Sequence, residues 1–247
     1  MNNKQNKIEL SNNRTDYATS IAKSLAGVVP FAGSAIAEIV GAIIPNQRVD
    51  RIIEFIKILD EKLYGLGEDV GEIKERMMKE DFIDLFEDGI FQASRAISRE
   101  RKEYISSLLK NSISKSQLDY TEKKKLLSML AELSDIEIII LISHSFHDNS
   151  KSYEFYKLHE DVLHRPAPTM AASEEEIKEA AINNGLYDTY ENHLIQLSLL
   201  QTDYREPRRD ELPEFDYKTG RLKSGSMRIT SLGRLLLEWL DIGKQKQ

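Results

Sequence analysis

The stretch SEEEIKEAAINNGLYDTYENHLIQLSLLQ, Ser173–Gln201, decides how the second half of the chain is read. Ser173 with Glu176 three residues on is a capping-box signature, so a helix begins there. Gly185 interrupts the pattern, and glycine is a strong breaker of local structure. The spacing therefore predicts one helix over about Ser173–Asn183 and a second over about Asp188–Gln201, joined around Gly185. The second carries His193, Leu194, Leu197 and Leu200. Beyond a loop rich in Arg, Pro and acids lies FDYKTGRLKSGSMRIT, residues 215–230. Its alternation and glycine-bearing turns predict a β-hairpin. The chain closes on TSLGRLLLEWLDIG, read as a short helix.

Helix, turn, helix, hairpin, helix is the order of a winged helix-turn-helix. The closing ITSLGRLLLEWL resembles the end of winged-helix modules, where a wing strand runs into a last helix. On such a wing, Arg221, Lys223 and Arg228 could contact phosphates. They could equally meet an acidic partner or anionic lipid head groups. Residues 204–234 carry eight cations against five anions, a local excess of three. The helix expected to read bases opens Asp-Thr-Tyr-Glu-Asn and has no Arg or Lys. The whole chain stands at −7. Both facts weigh against sequence-specific DNA as a partner and towards a protein interaction.

Upstream, helical periodicity dominates. Val49, Ile52, Ile53, Ile56, Leu59 and Leu63 form one apolar stripe. A second stripe runs Phe82, Ile83, Leu85, Phe86, Ile90, Phe91 and on to Ile97. A third carries Tyr104, Ile105, Leu108 and Leu109. A fourth, from about Thr121, holds Leu126, Leu127, Met129, Leu130 and Leu133. A fifth begins at Ser134, again with a capping box to Glu137. Ile138–Ile142 is apolar all round, which predicts a central helix. HDNSKS and RPAPT break the pattern, so a domain boundary is expected near residue 150. The expected class is mainly α: a polar flexible tail over 1–18, a helical domain over 19–149 and a winged-helix-like domain over 150–247.

The helical domain should open with an apolar hairpin over 20–45. AGVVPFAGSAIAEIVGAIIP, residues 26–45, holds a single charge, Glu38. Gly33, Ala37 and Gly41 are four apart, a smooth stripe on which a second helix can lie close. With Leu25 and Val40, these are the candidate membrane or helix-association residues. A continuous helix over 24–44 would reach about 30 Å, enough for a bilayer core. Pro30 argues against continuity. Glu38 costs roughly 2.5–3 kcal/mol on insertion scales. Two compatible readings follow: a buried soluble hairpin, and a segment that enters the membrane only when released.

VVPFAGSAIAEIVGAIIPNQRVDRIIEF resembles the opening of the bacterial abortive-infection alpha family. There a Pro/Gly/Ala-rich stretch passes through an IPNQR-x-DRI-like junction into a helical region. A TxLGRxLL-like ending is matched by Thr230, Leu232, Gly233, Arg234, Leu236 and Leu237. The resemblance covers roughly 19–245. It implies a phage-defence role in which the infected cell stops growing or dies, and it brings no catalytic residues with it. The expected protein is a non-enzymatic effector, cytoplasmic and conditionally at the inner membrane. It would be triggered by a sensor protein from a neighbouring gene and would self-associate. The alternative is a winged-helix DNA-binding regulator, or an adaptor, with a buried hairpin.

Other constellations give less. The chain has no cysteine, which excludes disulfides and thiol chemistry. The first eighteen residues are not the start of a secretory signal. HEDVLH places Leu163 where a zinc motif needs its second histidine, so no metal is expected and all five histidines read as structural or surface groups. Glu80, Asp81, Asp84, Glu87 and Asp88 read as a solvated helical face. No phosphate loop, nucleophile elbow or dinucleotide fingerprint is present, and neither catalytic residues nor a cofactor are expected.

Overall fold

The computed structural model describes residues 49–146, 149–204, 212, 214, 215 and 224–242. The apolar stretch over 20–45, with Leu25, Gly33, Ala37, Glu38, Val40 and Gly41, lies outside them, as do Arg221 and Lys223. The described fold is mainly α with one small antiparallel sheet. It divides into two units. The first runs to Glu132 and includes Trp239–Asp241; the second covers Leu133–Glu238 with the last residues. The division falls ahead of the boundary expected near 150, and the Ser134 helix belongs to the second unit.

The first unit holds α1 (Val49–Tyr64), α2 (Val70–Met77), α3 (Glu80–Arg95), α4 (Arg99–Ser114) and α5 (Tyr120–Glu132). Helix α4 packs against all four others. The α1 stripe is buried as expected, at Ile52, Ile56, Leu59 and Leu63, with Phe55 added. On α3, Phe82, Leu85, Phe86 and Ile90 are buried. Phe91 and Ile97, grouped with them by the sequence, are exposed, because α3 ends at Arg95 and Phe91 faces away. Phe86 meets Phe55 and Phe82 at ring-centroid distances of 6.3 and 6.0 Å. Gly89 lets α4 come close: a Cβ there would stand 2.8 Å from Leu109 Cδ1.

Helix α4 buries polar groups as well as Ile105, Leu108 and Leu109. Lys102 is buried, with its Nζ 2.5 Å from Glu54 Oε2. Asn111 donates to Trp239 O at 2.8 Å and to Asp241 Oδ1 at 3.2 Å. Lys110 Nζ lies 2.5 Å from Asp241 Oδ2. Asp241 has φ 58°, a conformation that short polar side chains tolerate better than most. Burial pushes its carboxyl up, but the hydrogen bonds from Lys110 and Asn111 outweigh this and hold it below its ordinary value.

The second unit holds α6 (Asp135–Ser143), α7 (Asn149–Leu158), α8 (Glu160–Leu163), α9 (Glu174–Gln196), β1 (Leu200–Tyr204), β2 (Ser224–Ile229) and α10 (Ser231–Trp239). The two helices expected over 173–201 are one. Helix α9 passes through Gly185 without a turn. The physical reason is a strap. Arg165 pairs with Asp188 and lies 3.5 Å from Glu191 Oε2, and its guanidinium stacks 4.8 Å from the Tyr187 ring. Pro166 O accepts from Asn184 Nδ2 at 3.0 Å. These partners sit on both sides of Gly185 along one face, so a break there would forfeit them.

The C-terminal end also differs from expectation. Helix α9 stops at Gln196, and Ser198 takes φ 59°. Leu199 N donates to Leu194 O at 2.9 Å and Ser198 N to Ile195 O at 2.9 Å, a Schellman ending with both leucines fully buried. Leu200 and Gln201 then enter β1. The described partner of β2 is β1, with Leu200 opposite Ile229 and Gln201 opposite Arg228, and a bulge at Asp203/Tyr204. The first strand and turn of the hairpin expected within 215–230 fall largely outside the described residues; its last strand, 224–229, pairs with a strand before the Arg/Pro loop. Thr230 joins the sheet to α10: its Oγ1 accepts from Gly233 N at 3.0 Å and donates to Ser198 O at 2.7 Å.

Two glycines in helices give opposite expectations. A Cβ on Gly185 would meet nothing within 4 Å. Gly185→Ala should therefore stabilise the protein by about 0.5–1 kcal/mol, through helix propensity alone. A Cβ on Gly233 would stand 2.4 Å from Leu199 O and 2.7 Å from Ile229 Cγ1. Gly233→Ala should destabilise by about 1–3 kcal/mol despite the same propensity gain. Urea unfolding midpoints measure both; a loss at Gly185 would mean that residue is a turn.

The Asp241 cluster sets an acid limit. A carboxyl that titrates lower folded than unfolded contributes fully above its unfolded value, about 3.9, and the contribution disappears as pH falls through the folded value. Asp241→Asn keeps the backbone preference and removes the charge. It should lower the melting temperature at pH 7 and converge on wild type at the most acid pH. Melts across pH 2.5–7, as an order-of-magnitude range for carboxyl titration, check this.

Candidate functional site

The second unit carries a recess of about 830 Å³. It lies between the start of α6, helix α8 and the N-terminal half of α9. Its floor is apolar and aromatic, including Ile136, Val162, Leu186 and Tyr190. Glu160, Asp161, Glu176 and Glu179 also line it, with no Lys or Arg. The strap residue Pro166 and its neighbour His164 close one side. Burial and the charge of Glu191 push the Tyr187 phenol up to about 12, so that hydroxyl stays protonated at neutral pH. Glu176 is tied into the capping box: Ser173 N and Oγ donate to its Oε2 at 2.7 and 3.0 Å. Those bonds, the backbone one first, hold its carboxyl below the ordinary range.

A buried polar clamp holds α6 against α9 behind this recess. Glu137, on α6, is 4% exposed. Its Oε2 accepts from Ser134 N at 2.6 Å and Ser134 Oγ at 2.7 Å, completing the expected capping box. Its Oε1 lies 2.5 Å from Nδ1 of His193 on α9. At the other end of α6 the polarity reverses. His144 Nε2, at the C-cap, lies 3.6 Å from Oε1 of the buried Glu191 on α9. Two Glu–imidazole pairs of opposite sense therefore fix how the helices cross. The remaining described histidines do other work: His159 packs on the Phe155 ring at 4.5 Å, and His164 lines the recess.

Of the site residues marked by the sequence, Arg228 lies among the described residues. It is exposed on β2, with Nε 3.8 Å from Asp203 Oδ1. The acidic α3 face is not simply solvated: Asp84 accepts from Lys124 and Tyr120, and those hydrogen bonds, Lys124 first, lower its carboxyl. A smaller recess of about 360 Å³ in the first unit is ringed by Arg76, Lys79, Lys115 and Lys123. Arg76 and Lys123 donate to Ile113 O and Ser112 O at 3.2 Å, so these cations serve the carbonyl end of α4. Among the described residues, no helix is long and apolar enough to cross a membrane.

The clamp and the acidic recess were not marked by sequence reasoning. The signal for the clamp was partial: Glu137 stood out as a capping residue and His193 as part of a stripe, but nothing in either spacing joined them. No protein-family model, no curated protein and no solved structure matches the chain.

Glu137 has two separable roles. Glutamine serves at the N3 position of a capping box, whereas alanine does not. Glu137→Ala should cost about 1–3 kcal/mol, the sum of a lost cap and the lost bond to the partly exposed His193 imidazole. Glu137→Gln should cost clearly less, keeping the cap and losing the charge. Denaturant unfolding of the two variants measures this; equal losses would show that the cap contributes nothing.

Proposed function

We propose that this chain is a non-enzymatic effector of abortive infection that acts on the inner membrane when a partner sensor triggers it. The observation that carries the reading is the stretch 26–45, twenty residues with one charge, set in a chain that is 30% charged. The resemblance of residues 28–55 and of the Thr230–Leu237 ending to the abortive-infection alpha family supports it. The stretch leads directly into α1, whose Ile52, Phe55, Ile56 and Leu59 are fixed in the first unit's core. A segment released into lipid would thus remain attached to a packed body. Glu38 makes spontaneous insertion costly, which favours a triggered step over constitutive insertion.

Protein interaction is the second reading, favoured by the acidic recess of the second unit. The winged-helix form of that reading loses its separate recognition helix, since α9 is continuous. The strand-then-helix ending, β2 into α10, is what it retains. Arg228 is exposed, and its 3.8 Å pair with Asp203 is too weak to withdraw it from an anionic partner.

The membrane reading is tested with vesicles containing phosphatidylglycerol and a trapped dye, together with expression toxicity in a bacterial host carrying the neighbouring genes. Leu25→Asp and Val40→Asp should abolish both leakage and toxicity. Glu38→Gln should raise toxicity, because it removes an insertion cost of roughly 2.5–3 kcal/mol. Absence of leakage under every trigger, together with absence of toxicity, would rule the effector reading out.

A further inference from the structure

We infer that the acidic recess on the second unit is a docking groove for a basic amphipathic helix of a partner protein. The inference deepens the effector reading, on which its biological sense rests, by giving the triggering partner a chemistry.

The argument starts from α9. Of its first twelve residues, Glu174–Gly185, only Ala180 is buried. A half-helix of that length is marginal in water without a packed face. It is kept by its capping box and by the strap further along. Its recess-lining residues fall at 176, 179, 180, 183, 186, 187 and 190, the three-and-four spacing of one helical face. That face is amphipathic on its own terms. It offers Ala180, Leu186 and the two tyrosines as an apolar track, with Glu176 and Glu179 beside it. Glu160, Asp161 and Val162 of α8 line the recess as well.

The charge decides the occupant. Four carboxylates with no Lys or Arg among the lining residues repel nucleic acid and anionic lipid alike. They complement a segment whose apolar residues enter the track and whose Lys or Arg side chains reach the carboxylates. Helix-in-groove binding uses this geometry, with anchors at three- and four-residue spacing. The tyrosines fit such an occupant. They give contact area at low entropic cost. The Arg165 strap and the Glu137–His193 and His144–Glu191 pairs hold one wall rigid, so little ordering is needed when the occupant arrives.

The test uses the full chain and two fluorescein-labelled synthetic peptides, each about 14 residues long so as to form a helix. One has leucine on one face and lysine on the other; its counterpart has glutamate in place of lysine. Fluorescence anisotropy at low salt should show binding of the lysine peptide alone, weakening as salt rises. Glu160→Lys with Glu179→Lys should weaken it at least roughly tenfold. Leu186→Asp should do the same through the apolar track. Glu80→Lys with Glu87→Lys, on the acidic face of α3, should leave binding unchanged. Far-UV circular dichroism and melting temperatures verify folding. Should a charge-reversed variant fail to fold, Glu160→Gln with Glu179→Gln replaces it, with a severalfold loss expected. The inference is overturned if the lysine peptide does not bind, if binding survives the groove substitutions, or if the α3 substitutions weaken it equally. Peptide binding and dye leakage are separate readouts, so the groove and the membrane reading can fail independently.

Discussion

Helix α9 stays a single rod because Arg165 and Pro166 grip it on both sides of Gly185. The grip is modest bond by bond. The Arg165–Asp188 pair is exposed on both partners, and such pairs contribute little. Its strength is in geometry: an ion pair, a stacked ring and a hydrogen bond to Pro166 O fall on residues 184, 187, 188 and 191, one stripe of one helix. Glycine costs a helix interior about 1 kcal/mol relative to alanine, which several partners sharing one face can offset. The recess depends on this rod. So does the clamp, because Glu191 and His193 meet His144 and Glu137 only while α9 runs straight to Gln196.

The strap also removes the turn expected within residues 173–201, on which the winged-helix reading of this domain relied. A helix-turn-helix needs the chain to turn between its two helices so that the second presents its N-terminal end. Here that turn has been removed and the elements after it shifted. The second expected helix gives up its last residues to β1, because Ser198 closes a Schellman ending without the glycine that usually marks one. Strand β2 then finds its partner upstream of the Arg/Pro loop. The order of element types along the chain survives, but their connection in space differs.

Most of the first unit was legible because burial there follows the 3.6 period. The stripe on α5 and most of those on α1 and α3 were read correctly for that reason, and the two capping boxes because their signature is local. Phe91 and Ile97 were misread because both continue a stripe past the point where the helix turns them outward. Helix α4 was under-read: its buried Lys102, Ser106, Ser107 and Asn111 look like a polar face until their partners are known. The candidate site was the least legible. Its clamp joins residues 56 positions apart, and its groove is a shape, made where α8 and α9 approach. No spacing rule reports either. The α9 residues that line it were visible only as the solvent side of a helix thought to be half as long.

The TxLGRxLL-like ending has a structural account that involves no ligand. Thr230 caps α10 and ties it to the carbonyls of Ser198 and Leu199. Gly233 is required because Leu199 O occupies the place of a Cβ. Leu236 and Leu237 are buried. Arg234 is the exposed member of the motif. A motif explained this fully by packing would persist in any protein sharing the α9–β1–β2–α10 arrangement, whatever that protein does. The motif therefore carries no functional argument of its own, which leaves the apolar stretch over 26–45. Its alanines and glycines add little apolar area of their own. Their advantage is close approach between backbones, which matters most where a second helix, in this chain or another, must lie against them.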